Sequence, residues 1–399
     1  MTRKTINNLF FYLLIVIFLF SCKKKVNQKH ERIPNIENII IDLEKNIQVS
    51  YDSLIEKVEF IKLETNKENL IGKISQTIFV DSLIIVIDSE SAKTINVYNT
   101  NGKFSHKIGA IGNGPEEFAE ISNVVMIPNS NVISVLDRLQ KKILYFNLDG
   151  RFLKYEKQPF AFNYYEYLDS GNRVYNIISM YDPIYGKNRG KSLIVTDSMN
   201  HIKYGAFQDT YRENFIYLIN RPLRKFGTQV FFSPNLTDSI YIVENENIVP
   251  KYYIDLKNHS MSKINKKNLT NETLNNLMNT HFFFNGDFIE LQDFTFINIA
   301  TPWSYPFAIY SHKHKEVYLT NGEFDNPLYS FLEYAPIARY QRNGILFIID
   351  PYILMDVKKS LYDNNKNYEG ILDDLFRDLE FDSNPILFIY HINPNLGEQ

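Results

Sequence analysis

Short apolar runs separated by polar turn residues dominate the chain between Tyr51 and Ser260. Leu83–Asp88 is apolar until its last residue, as expected of a strand covered on both faces, whereas Thr94–Asn99 alternates, as expected of a half-exposed strand. Asn101-Gly102 follows and predicts a type I′ hairpin turn, which needs positive φ at both central residues. The predicted strands in this region are Lys73–Asp81, Leu83–Asp88, Thr94–Asn99 and Lys103–Ile108.

The same unit recurs about 48 residues further along the chain. Val97–Phe104 aligns with Tyr145–Phe152, and Val86-Ile87-Asp88 aligns with Val135-Leu136-Asp137. A four-stranded repeat of this length is typical of β-propeller blades, whereas solenoids of this length are helical. Weaker copies of the unit begin near Leu193, Asp238, Phe307 and Ile337.

Helical spacing of apolar residues interrupts the strand pattern in Lys263–Thr280 and in Ile353–Glu380, where a helix is expected within Gly370–Leu379. Allowing for these insertions leaves six blades. We therefore predict an all-β fold, a six-bladed β-propeller over residues 47–393 with short helical insertions and a tail at 394–399. Ring closure is expected to pair Ser53–Leu63 with Pro385–Ile392, which protects the strand edges. The alternative is an ordinary β-sandwich.

The N-terminus has the pattern of an export signal. Arg3 and Lys4 precede an uncharged run, Leu9 to Phe20. As a helix this run is about 18 Å long, too short for a hydrocarbon core of about 30 Å. The run ends in Leu19-Phe20-Ser21-Cys22, which resembles the lipobox of bacterial lipoproteins. The resemblance implies a lipoprotein signal peptide at 1–21, lipid (diacylglycerol and palmitate) on Cys22, and a lipidated tether at 22–46. The alternative is a chance cysteine beside an ordinary signal peptide or an uncleaved anchor.

Composition and charge narrow the classes of function. The net charge of −3 gives no electrostatic case for nucleic acid as a partner. The 27 Tyr and 30 Phe residues favour strands over helices. Cys22 is the only cysteine, so an exported form has no internal disulfide and folds on its core alone.

Several segments together resemble a known family. They are Phe60–Thr65 with Leu70–Ile74, Val97–Phe104 with Lys107–Gly109 and Gly112–Phe118, and Asn384–Tyr390. These motifs are similar to those of the six-bladed β-propeller lipoproteins of the NHL/TolB-like type in Gram-negative bacteria. Glu116 stands where that family often has glycine. The resemblance implies the propeller fold and an envelope location, and it implies no settled activity.

The sharpest local motif is the loop Gly112–Phe118. A phosphate-binding loop needs backbone N–H groups at a helix N-terminus, but this loop leads into a predicted strand, and Pro115 removes a donor. We interpret it as an inter-blade connector. The alternative is a rim loop that presents Asn113, Glu116 and Glu117 to a ligand or cation.

Aromatic clusters are the other binding candidates. Trp303 and Tyr305 lie in a predicted loop, where rings can contact a sugar or peptide. The alternative for such rings is packing in the wedge between blades. His312 and His314 share a predicted hairpin tip with two lysines, which favours a solvated turn over a metal site. The sequence therefore predicts no catalytic residue, no metal ligand and no cofactor.

The predicted function is a non-enzymatic binding or scaffold module for a protein, peptide or glycan, anchored to the cell envelope. The alternatives are a metal-dependent hydrolase or lyase with a site at the propeller axis, and a purely structural envelope protein. Lys23 stands where an inner-membrane retention signal has aspartate, which favours the outer membrane. Lys23–Asn27 lacks an acidic export patch, which favours the periplasmic face over the cell surface.

Overall fold

Six separate sheets of four or five strands form the fold, and the prediction of a six-bladed β-propeller is confirmed. The computed structural model describes residues 36–177, 184, 186–208, 221–259, 270–300, 307–320, 322–333, 336–363 and 371–398. The predicted signal peptide, Cys22 and most of the predicted tether lie outside these residues.

The first three blades are built from contiguous sequence. The N-terminal segment first forms β1 (Glu37–Ile40), β2 (Ile47–Val49) and β3 (Ile55–Lys62). Blade 1 then contains β4 (Gln76–Val80), β5 (Leu83–Asp88), β6 (Thr94–Asn99) and β7 (Phe104–Lys107). Blade 2 contains β8 (Asn123–Met126), β9 (Val132–Asp137), β10 (Lys142–Asn147) and β11 (Phe152–Lys157). Blade 3 contains β12 (Phe162–Tyr167), β13 (Arg173–Ile177), β14 (Lys191–Thr196) and β15 (Ile202–Gln208).

The other three blades each include a strand from the N-terminal segment. Blade 4 contains β16 (Leu223–Phe226), β17 (Gln229–Phe232), β18 (Ser239–Val243) and β19 (Ile248–Asp255), with β1 parallel to β19. Blade 5 contains β20 (Phe283–Glu290), β21 (Phe294–Ala300), β22 (Phe307–Ser311) and β23 (Val317–Thr320), with β2 parallel to β23. Blade 6 contains β24 (Ala338–Tyr340), β25 (Gly344–Ile349) and β26 (Ile386–Ile392), with β3 antiparallel to β26.

The ring closes as the sequence predicted, through the pairing of β3 with β26, in which Phe60 lies opposite Phe388. The start of the fold differs from the sequence expectation, which assigned residues up to 46 to a tether. The compact unit begins at Ile36, and Ile39 is fully buried against blade 4. The physical reason is that β19 offers an unpaired edge beside an apolar cluster, and the N-terminal segment covers both.

The core is divided among the interfaces between blades. Each neighbouring pair of blades shares one cluster of buried apolar side chains. Between blades 1 and 2, for example, Ile85 and Val97 meet Val124 and Phe146. This arrangement explains the continuous apolar runs of strands such as β5, because both faces of a blade are covered by neighbours.

The two faces of the ring carry different connections. Short turns join the first strand of a blade to the second and the third to the fourth, and we call this side the hairpin face. The long connections join strand ends on the opposite side, the connector face. The helices of the described residues are Tyr51–Leu54, Asn271–Met278, Pro351–Asp363 and Ile371–Phe376, with 3-10 turns at Gly186–Asn188, Lys257–His259 and Pro327–Glu333. Helices thus occur in both predicted insertions.

The hairpin after β6 is present, but its turn type differs from the prediction. Gly102 has a φ of 81°, whereas Asn101 does not have positive φ, so the turn is not type I′. The Gly102 N–H donates to the carbonyl of Asn99 at 2.9 Å, and the register shifts between Val97 and Tyr98. These features indicate a longer loop with glycine in the left-handed region and a bulge beside it.

Candidate functional site

The first strand of each blade contributes residues to a channel along the axis of the ring. A cavity of about 800 Å³ opens on the hairpin face, and we call it the hairpin cavity. A cavity of about 560 Å³ opens on the connector face, and we call it the connector cavity. The two cavities are halves of one channel, because they share lining residues. The shared residues are Gln76, Asn123, Val124, Tyr164, Arg221, Arg224 and Ile337.

The hairpin cavity contains charges of both signs. The Lys225 ammonium donates to the Asp169 carboxylate at 2.7 Å and to the Tyr167 carbonyl at 2.9 Å. Burial raises the pKa of the nearby Glu166 carboxyl to about 7, against the opposing effects of the Tyr167 N–H and the Lys225 charge. Glu166 therefore exchanges a proton near neutral pH at the wall of the channel.

The connector cavity is lined by Arg221, Arg224 and Asp287, and by Lys73 and Glu90, which pair with each other. Arg224 forms an ion pair with Asp287, whose other oxygen accepts a hydrogen bond from Asn298 Nδ2 at 3.3 Å. Arg221 donates to the Ile337 carbonyl at 3.5 Å, and no carboxylate of the described residues forms an ion pair with it. Burial and the neighbouring charge of Arg224 lower the pKa of Arg221 to about 10. This half of the channel therefore has an excess of positive charge.

Two local backbone features place these side chains. Asn285-Gly286-Asp287 forms a bulge in β20, where Gly286 has a φ of 85° and the register shifts between Phe284 and Phe288. Bulges re-aim side chains, and here the bulge directs Asp287 to Arg224. Arg221 itself has a φ of 58°, a strained value for a residue other than glycine. Such strain concentrates at functional sites.

The sequence did not identify these channel residues. Arg221 and Arg224 belong to blade 4, whereas Asp287 and Asn298 belong to blade 5, so no local motif contains the set. The available signal was Asn285-Gly286-Asp287, a polar bulge sequence within an otherwise apolar strand.

The predicted loop Gly112–Phe118 lies on the connector face between blades 1 and 2 and is fixed by its own contacts. Glu117 Oε2 accepts from the Gly114 N–H at 2.9 Å, and Lys142 Nζ donates to the Gly114 carbonyl at 3.0 Å. Gln140 Nε2 donates to the Gly112 carbonyl at 2.9 Å and to Asn113 Oδ1 at 3.2 Å. Asn113 and Glu116 are exposed. These contacts favour the connector interpretation over a ligand site at this loop.

Of the other predicted candidates, Trp303, Tyr305 and Cys22 lie outside the described residues. The Tyr164–Tyr167 cluster divides between two roles. Tyr165 is buried between blades 2 and 3, where its hydroxyl donates to Ser134 Oγ at 2.6 Å. Tyr164 instead lines the channel. Neighbouring rings of one strand therefore have different positions, one packed between blades and one at the wall of the channel.

The histidine pair lies in the turn between β22 and β23. His312 Nε2 lies 2.9 Å from Thr295 Oγ1, and His312 Nδ1 lies 3.1 Å from the Gln292 carbonyl. His312 is thus held against blade 5, which differs from the fully solvated turn that the sequence suggested. Within the described ranges, no group of three or more His, Cys, Asp or Glu is placed to hold a metal ion. No helix in the same ranges is long and apolar enough to cross a membrane.

Comparisons with known proteins agree with the fold. The profile of the family described as "Domain of unknown function (DUF4934)" matches residues 36–391. No curated protein matches the chain. A protein of Bacteroides fragilis described as exported is similar, with a TM-score of 0.70 and 21% identity over 90% of this chain and 99% of that one. A DUF4221-family member of Bacteroides vulgatus has a TM-score of 0.49 and 11% identity over 85% and 97%.

Proposed function

The chain belongs to the DUF4934 family, and from that premise we propose that it is a lipid-anchored binding module of the bacterial cell envelope, of the NHL/TolB-like type. The ligand, a protein segment, peptide or glycan, binds in the axial channel. The observation that carries this proposal is the channel itself, which gathers polar and charged side chains from several blades. Its two cavities, of about 800 and 560 Å³, have the size of ordinary ligand sites.

The composition of the channel wall supports binding. A buried charge is costly unless it is paired, and among the described residues no carboxylate forms an ion pair with Arg221. This cost favours a ligand-binding channel over a purely structural pore. Apolar residues such as Ile337 also line both halves. Ligand sites typically combine an apolar wall with a few convergent polar groups.

A channel-filling variant tests the proposal. Ile337→Trp adds bulk where both cavities meet, and Leu153→Trp adds the same bulk on an exposed outer strand of blade 2. We expect glycan and peptide arrays probed with the purified mature chain to yield a saturable ligand. Ile337→Trp should weaken its binding at least about tenfold, and Leu153→Trp should leave it unchanged. Equal binding by the two variants, or no ligand on any array, would reject the channel as the site.

The anchor is supported by the Leu19–Cys22 motif and by the first residues of the fold. The segment from Cys22 to Ile36 is short, and a fully extended chain of that length would reach at most roughly 50 Å. Glu37, at the start of β1, binds Lys315 in the β22–β23 turn on the hairpin face. The exported relative from B. fragilis supports an envelope location.

Cys22→Ala tests the anchor. We expect wild-type protein to incorporate labelled palmitate and to sediment with outer membranes, and Cys22→Ala to lose both properties. Ser21→Ala is the matched control, since a small residue stays before the cysteine. Membrane association that survives in Cys22→Ala would contradict the lipid anchor.

Protease treatment of intact cells tests the leaflet. We expect the protein to survive in intact cells and to be cleaved after the outer membrane is permeabilised. Cleavage in intact cells would place it on the cell surface instead.

A further inference from the structure

The connector cavity has a charge imbalance that no described residue corrects. Arg221 and Arg224 both line it, and the ion pair that Asp287 forms among the described residues is with Arg224. Among the described residues, the hydrogen bond that Arg221 makes is long, 3.5 Å to the Ile337 carbonyl. A guanidinium has five N–H donors in a planar fork, so Arg221 retains most of its donor capacity within the cavity.

The burial of Arg221 makes this imbalance costly. Burial and the charge of Arg224 lower the pKa of the Arg221 guanidinium to about 10. A negative group placed between the two arginines would offset both effects, because charge-assisted hydrogen bonds to guanidinium are strong in a partly buried site. The cavity is therefore complementary to an oxyanion.

The neutral residues around the arginines indicate the rest of the ligand. Asn123 Oδ1 accepts from the Tyr165 N–H at 3.1 Å, and Asn285 Oδ1 accepts from the Asp287 N–H at 2.9 Å. Gln76 Nε2 donates to the Val124 carbonyl at 2.8 Å. Within the described part of the chain, these bonds leave the Nδ2 groups of the two asparagines and the Oε1 atom of the glutamine available on cavity-lining side chains. Donors and acceptors interspersed in this way suit hydroxyl groups, which both donate and accept.

We propose that the connector cavity binds an acidic sugar, with Arg221 and Arg224 holding its carboxylate and the amides of Gln76, Asn123 and Asn285 binding its hydroxyls. The cavity of about 560 Å³ has the size for one or two sugar units. This inference rests on the proposed function and narrows its ligand to a uronic acid.

Calorimetric titration of the full mature chain tests the assignment. The probes are D-galacturonate oligomers, the matching neutral D-galactose oligomers and a hexa-aspartate peptide. We expect saturable binding of the acidic sugar and at least about tenfold weaker binding of the neutral one. Binding of hexa-aspartate in preference to galacturonate would overturn the assignment to sugars.

Variants separate this inference from the proposed function. Arg221→Gln should weaken galacturonate binding about 10- to 100-fold, and Arg221→Lys should weaken it less because the charge remains. The control is Arg342→Gln, an exposed arginine paired with Asp293, which should bind as wild type does. Suppose that a ligand loses its binding to Ile337→Trp and binds Arg221→Gln as tightly as wild type. That result would refute the acidic-sugar site and leave the channel as the ligand site. A wild-type chain that binds no probe or array ligand would refute both.

A measurement of melting temperature, which needs no sugar, shows whether Arg221→Gln is folded and whether the site binds an oxyanion. Sulfate, compared with chloride at equal ionic strength, should raise the melting temperature of wild type more than that of Arg221→Gln. An equal rise in the two proteins would count against an oxyanion site at Arg221.

Discussion

Blades 1 to 3 and blades 4 to 6 reach the same architecture by different routes. The first three are contiguous in sequence, and no further strand of the described residues pairs with the outer edges of β7, β11 and β15. The last three each take a strand from residues 37–62, far away in sequence. The N-terminal segment is therefore part of the fold on one side of the ring and has no counterpart on the other.

The difference teaches how each half protects its edges. The unpaired strand β11 exposes Lys154 and Lys157, and charged side chains of this kind discourage pairing with other chains. Blade 4 instead buries Ile39 of β1 against its own outer strand. β11 in blade 2 thus relies on charge, whereas β1 adds apolar contact to blade 4, and this contrast predicts where substitutions are costly.

The largest expected effect is at the closing strand. Phe388 is fully buried, and its ring centroid lies 6.1 Å from that of Phe60 and 5.2 Å from that of Phe331. Phe388→Ala should lower the free energy of unfolding by about 4 kcal/mol, because it leaves a cavity between strands from both ends of the chain. Urea unfolding measures the loss. Leu153→Ala, on the exposed side of β11, should cost less than about 0.5 kcal/mol. Similar costs at both positions would remove the contrast.

The next effect compares the same residue type in the two halves. Ile39→Ala in β1 removes a fully buried side chain and should cost about 3 kcal/mol. Ile202→Ala in β15, where 37% of the residue is exposed, should cost less than about 0.5 kcal/mol. Thermal or urea unfolding measures both losses. If Ile39→Ala cost as little as Ile202→Ala, the packing of β1 would contribute little to the stability of blade 4.

A smaller, pH-dependent effect is expected at Glu37. Burial alone would raise its pKa, but hydrogen bonds from Lys315 and Tyr310 outweigh it and hold the pKa below the ordinary value of 4.5. The stabilisation is therefore present above the unfolded-state pKa and disappears as pH falls through the folded-state value. Glu37→Gln should cost about 1 kcal/mol at pH 7 and progressively less below pH 4.5.

Glu90→Gln is the control for Glu37. Glu90 pairs with Lys73 in blade 1, and both side chains are mostly exposed. This exposed pair should contribute less than about 0.5 kcal/mol. A cost for Glu37→Gln that stays constant from pH 7 to pH 3 would show that its carboxylate charge is not what stabilises β1.

The smallest effect on stability is expected at the open edge of blade 2. Replacing Lys154 and Lys157 together by Val should change the free energy of unfolding by less than about 1 kcal/mol. The same change should promote association, because it leaves a β-branched, uncharged edge. Sedimentation at increasing concentration measures it. A sedimentation coefficient that stays equal to that of wild type would indicate that strand twist, and not charge, protects this edge.

The sequence predicted the regular part of the fold well. The bounds of β5 and β6 follow from an apolar run and an alternating run, and the closure of Ser53–Leu63 on Pro385–Ile392 follows from their strand patterns. The strands β1 and β2 were missed because they are short and embedded in polar sequence. Ile39-Ile40-Ile41 was the available signal, since three β-branched residues in succession favour a strand.

The channel site could not be read from the sequence. Arg221 and Asp287 are distant in the chain and meet because neighbouring inner strands converge on the axis. The sequence instead suggested Asn113, Glu116 and Glu117 as candidate ligand-binding residues, because they lie close together in one loop of the sequence. Glu117 is occupied in holding that loop. Local spacing reveals turns, whereas a site assembled across blades requires the ring.

The route of the N-terminal segment also determines how the molecule responds to mechanical force. Because β1 runs parallel to β19, a pull on Ile36 along the strand loads all four residue pairs at once, in shear, instead of peeling them apart. β2 and β3 follow at blades 5 and 6, so tension applied at the N-terminus reaches three blades in series. The ring closure is the last of these junctions to be loaded.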